Sequence, residues 1–87
     1  MVNLKNIEIF KTYQGDGDGF VRSATVEEKS IMSYNEWSFV DNIIQDLKLI
    51  ENDLASQTYL NVVNQRLREN CDSEETIQEL KKIAYDM

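Results

Sequence analysis

The chain has 87 residues, which bounds it to one domain with a modest core. Its 41% hydrophobic and 29% charged residues sit near the globular average and argue against wholesale disorder. Nine basic against sixteen acidic residues leave a net charge of −7, so nucleic acid is excluded as an expected ligand because its phosphates would meet a repulsive field.

The acids are unevenly spread. Residues 33–55 carry five acids against Lys48 alone, and residues 71–87 carry five against Lys81 and Lys82. A basic protein partner suits this balance, as does plain solubility. No segment approaches the run of roughly 18 apolar residues that a membrane span needs, so no membrane is expected. With a single cysteine, Cys71, no internal disulfide forms. That and the lack of a signal-peptide pattern lead us to expect a cytoplasmic protein.

Residues 1–13 form the first element. Leu4, Ile7, Phe10 and Tyr13 recur every three residues, which suits a helix. The alternative is a strand through Ile7-Glu8-Ile9-Phe10, with the next stretch as a hairpin loop and Phe20-Val21-Arg22 as its return, giving an α+β fold.

Residues 14–24 are expected to be an acidic glycine-rich loop. All three glycines fall here, interleaved with Asp16 and Asp18. The stretch resembles the core of an EF-hand calcium loop. With Gly19 at position 6, Asp16 and Asp18 take positions 3 and 5, and Val21 takes position 8. Gln14 at position 1 and Thr25 at position 12 lack the two anchoring carboxylates. The resemblance therefore implies weak calcium binding at best, with Asp16 and Asp18 as ligands and no other cofactor. A phosphate cradle is disfavoured by the same two acids. The simplest reading is a turn, with Arg22 offsetting the charge of Asp18.

Residues 25–87 are expected to be helical. Proline is absent and no glycine follows Phe20. Thr25 with Glu28, Ser33 with Glu36 and Asp72 with Glu75 have the spacing of capping boxes. From Tyr34 to about Asp53, the residues Trp37, Phe39, Val40, Ile43, Ile44, Leu47, Ile50 and Leu54 share one arc. From Ser56 to Asn70 the arc is Tyr59, Leu60, Val62, Val63 and Leu67. From Ser73 to Met87 it is Ile77, Leu80, Ile83, Ala84 and Met87. The expected fold is all-α, a small antiparallel bundle of three to four helices.

Catalytic chemistry is poorly provided for. There is no histidine, which removes the usual general base and most nucleophile pairs. Cys71 lies at the edge of an apolar arc and reads as packing. Carboxylate pairs such as Asp41 with Asp46 read as solvated faces. No catalytic residue is assigned, and the chain is not expected to be an enzyme.

The features that break the helical pattern point instead to a partner. Leu49 projects among Asn42, Gln45, Asp46 and Asp53, on the acidic side of its helix. Tyr85 lies off the core face of the last helix, and Phe39 sits at the edge of its arc. An apolar residue ringed by acids suits an interface with an anchor and a charged rim. The competing reading packs Leu49 beneath the N-terminal segment or the glycine loop. The leading functional expectation is a non-catalytic module that binds and restrains a basic partner. Bacterial immunity proteins and antitoxins are of this general kind, a likeness of class in size, acidity and helicity. The alternatives are a degenerate EF-hand-like domain responsive to metal, and a homo-oligomer that self-associates through Trp37, Phe39 or Tyr85.

Overall fold

The computed structural model describes residues 1–14, 16–52 and 56–86, and Leu54 and Met87 of the expected arcs lie outside them. The fold is all-α. Six helices are described: α1 (Leu4–Thr12), α2 (Gly17–Ser23), α3 (Val26–Ile31), α4 (Tyr34–Glu51), α5 (Gln57–Asn70) and α6 (Glu74–Asp86). The N-terminal segment is a helix and not a strand. The only β-type pairing among the described residues is a single bridge between Val2 and Cys71. It tethers the start of the chain to the α5–α6 link, through Val2 N–H to Asn70 O at 2.7 Å and Asp72 N–H to Val2 O at 2.9 Å.

Residues 14–24 are not one loop. The chain enters α2 at Gly17, and the reason is a cap. The Asp16 carboxylate accepts the Gly19 N–H at 2.8 Å, satisfying one of the free amides at the start of the helix. Glycine at 19 is needed for this. A Cβ there would lie 2.6 Å from Asp16 Oδ2 and push the capping carboxylate away.

Other helix starts follow the sequence. Thr25 with Glu28 and Ser33 with Glu36 form capping boxes, both halves present in each. The third differs by one residue. Ser73 Oγ, not Asp72, accepts the Thr76 N–H, and the Asp72 carboxylate accepts the Thr76 hydroxyl at 2.7 Å instead. An unexpected box opens α1, where Asn3 and Asn6 exchange backbone and side-chain bonds. Asn6 is fully buried and spends its amide on Ile31 O at 3.0 Å, joining α1 to the end of α3.

The core lies between α1, α4 and α6, with α5 on one side of α4. α4 buries Trp37, Val40, Ile43, Ile44 and Leu47, and α6 buries Thr76, Ile77, Leu80, Ile83 and Ala84. Phe39, Ile50 and Tyr59 are partly buried against this cluster. Two arc assignments fail. Val62 on α5 is exposed because α5 presents only Val63 and Leu67 fully to the interior, and Leu4 is exposed at the start of α1, which buries Asn6, Ile7, Ile9 and Phe10. No helix among the described residues is long and apolar enough to cross a membrane.

Candidate interaction surface

The outer side of α4 carries the sequence-expected anchor. Leu49 is 43% exposed, and on the same side Asn42 and Gln45 are exposed. Leu49 belongs neither to the buried core nor to the residues packed against it. Asp53 lies outside the described residues.

Asp46 is not a free rim charge. Its carboxylate accepts the Tyr59 hydroxyl of α5 and pairs with Arg66 Nη1 at 3.1 Å. The hydrogen bond to Asp46, then desolvation, raises the Tyr59 phenol above its ordinary range. Arg66 also lies over the Phe39 ring, 5.6 Å from its centroid, at a distance where the ring face attracts a cation. Phe39 is therefore half-buried beneath an arginine, and these four side chains stitch α4 to α5. The sequence places Tyr59 in the apolar arc of α5 without a polar role, and Arg66 is not singled out. Their spacing of seven places them two turns apart on one face of α5, which was the available signal.

Tyr85 is 42% exposed on α6, off the core face as its position in the arc implies. Trp37, proposed as a self-association contact, is buried and cannot serve as one without rearrangement. It stands instead at the centre of an aromatic cluster. Phe20 stacks on it, with centroids 4.7 Å apart and planes 17° apart. Phe10 lies 4.6 Å away, tilted, and Tyr13 meets both Trp37 and Phe20 edge-on. The cluster joins α1, α2 and α4, which no local pattern could foretell.

Tyr13 also ties this cluster to α3. Its hydroxyl donates to Glu28 Oε1 at 3.0 Å, an oxygen that also accepts the Thr25 N–H at 2.9 Å. Those two bonds, the backbone one first, hold the Glu28 carboxyl below its ordinary 4.5.

The structure does not assemble Asp16 and Asp18 into a ligand set. Asp16 is committed to its cap, and Asp18 is exposed, 3.9 Å from the equally exposed Arg22. The calcium-loop register also loses its backbone ligand. The carbonyl at position 7 would be that of Phe20, which accepts the Ala24 N–H at 3.1 Å inside α2. Among the described residues, no three acidic or cysteine side chains converge on one point. Cys71 is buried beside the Val2 bridge, and burial, aided by Asp72, pushes its thiol up to about 11. That places it among inert packing cysteines and not reactive thiolates.

A groove of about 200 Å³ lies elsewhere, between α2, α3 and the start of α4, lined by Phe20, Val21, Lys29, Met32, Ser33 and Tyr34. No protein-family model matches the chain, and no curated protein or solved structure matches it.

Proposed function

We propose that this chain is a non-catalytic interaction module that works in the cytoplasm and binds and restrains a basic protein partner. The observation that carries the reading is Leu49. The core takes in Trp37, Val40, Ile43, Ile44 and Leu47 of α4 and leaves Leu49 43% exposed, with Asn42 and Gln45 exposed on the same side. An apolar anchor within a polar rim is the usual composition of an interface centre. The net charge of −7 favours a cationic partner and speeds its approach. The pairing of Asp46 with Arg66 and Tyr59 refines the reading. Asp46 holds the α4–α5 face in shape, and the partner's cations are drawn by the remaining acidic charge of the chain.

The test is a side-by-side capture from extract of the source cells on immobilised wild-type and Leu49→Asp protein. We expect a basic protein that is retained by the wild type, released by salt, and bound about thirtyfold more weakly by the variant, the size of a hot-spot loss. Circular dichroism of both proteins checks that the fold is kept. Equal retention of every bound protein by the two would overturn the reading.

A further inference from the structure

Residues 17–31 are held to the rest of the molecule differently from every other helical region. α2 buries one side chain, Phe20, and α3 buries none. Both are short, seven and six residues, well under the length at which an isolated helix survives in water. Two of α2's residues, Gly17 and Gly19, are the poorest of the ordinary helix formers.

The two helices are nonetheless tied to each other. Lys29 of α3 donates its ammonium to Val21 O of α2 at 2.6 Å. The Tyr13 hydroxyl reaches Glu28 of α3 at 3.0 Å and Ser23 O of α2 at 3.4 Å. Anchors to the rest of the molecule are the Phe20 ring on Trp37, the small Ala24 side chain at the edge of the core, the partly buried Ile31, Tyr13 itself, and the Asn6 amide on Ile31 O. Met32, immediately after the segment, is fully buried and fixes its C-terminal end.

We propose that residues 17–31 form a lid that opens as one unit over the aromatic cluster, while α1, α4, α5 and α6 stay folded. Opening lifts Phe20 from the Trp37 indole and bares the ring face it covers, while Phe10 of α1 stays against Trp37. Few buried contacts and a high share of exposed polar bonds are the marks of a segment that opens below the global unfolding free energy.

Amide hydrogen exchange of the intact chain tests the lid, and its cooperativity is tested across the two helices. Thr25→Ala removes the cap of α3, a loss that converts to about fivefold more open state. The lid requires the amides of Phe20 and Ala24, which belong to α2, to exchange about fivefold faster in this variant, with Ile44 and Leu47 unchanged. Gly17→Ala acts in the opposite direction. A Cβ there meets only Trp37 Nε1, at an ordinary 3.7 Å, and it should slow exchange at Lys29 and Met32 about two- to fivefold. If Thr25→Ala leaves Phe20 and Ala24 unchanged, the helices open independently and the proposal fails. It fails equally if Ile44 and Leu47 accelerate by the same factor, because the opening is then global.

Discussion

The α4–α6 pair and the α2–α3 segment are both helical, yet they are helical for different reasons. α4 and α6 each bury five residues, and their helices persist because unwinding would return that apolar surface to water. α2 and α3 together bury Phe20 alone within their spans. They persist through end chemistry: Asp16 on Gly19 N–H, the Thr25–Glu28 box, and Lys29 on Val21 O. Each cap contributes on the order of 1 kcal/mol, against several for a packed core side chain. Helical content is therefore a poor guide to where this molecule is strong.

The sharpest way to break that comparison is a pair of core truncations read by urea denaturation. Leu80→Ala, at a fully buried site, should cost about 3 kcal/mol. Phe20→Ala removes a larger buried side chain but should cost less than about 2 kcal/mol. Once the segment opens, the rest of the fold stands without it, and the loss is limited to the segment's own stability. A larger loss for Phe20→Ala than for Leu80→Ala would show that the two regions are one cooperative unit.

A smaller effect sharpens the description of the α4–α5 side. Asp46→Asn keeps an acceptor for Tyr59 and removes the charge facing Arg66. With both side chains partly exposed, about 1 kcal/mol of stability is expected to be lost. Amide exchange at Phe20 and Ala24 should not change, and a rise there would tie the α4–α5 contact to the lid.

The mildest test is pH. Bonds from Thr25 N–H and the Tyr13 hydroxyl lower the folded pKa of Glu28 below its ordinary 4.5. Its contribution is thus present above about pH 4.5 and is lost as pH falls through the lowered folded value. Glu79 on α6 is lowered too, chiefly by Lys82 and then by Lys11, so acid weakens both regions. The distinction is that Glu28→Gln should remove the acid sensitivity of the α2–α3 segment and leave that of α6. A Glu28 carboxyl carbon whose NMR titration midpoint lies at or above 4.5 would contradict the bonding described.

Much of this was legible in advance where the physics is local. The arcs of α4 and α6 came out of periodicity because a one-sided apolar stripe of that length packs in one way. Capping boxes at Thr25 and Ser33 were readable because both partners lie within three residues. The glycine-aspartate stretch misled for the same reason. Its composition describes a turn, and nothing within the stretch shows that the Asp16 cap is joined by Phe20 packing on Trp37, seventeen residues on. Leu49 was placed on the correct side of its helix, but whether another element covered it was undecidable from one stripe. Asp46 looked like a free acid because Tyr59 and Arg66, thirteen and twenty residues away, are brought to it only by the α4–α5 packing.

By itself, the sequence determined that the chain is helical, where the three long helices run, most of their buried faces, and a strongly acidic charge balance. Those follow from spacing and side-chain chemistry within a few residues, which any conformation of the rest of the chain preserves. Only the tertiary structure decided that Leu49 stays exposed, that Asp46 is spent on α5, that Trp37 is core, and that Asp16 caps a helix beneath which the aromatic cluster lies closed. Apart from the Asp16 cap itself, which spans three residues, each of these depends on how two helices stand to one another, and that is set by the packing of the whole core and not by any segment of it.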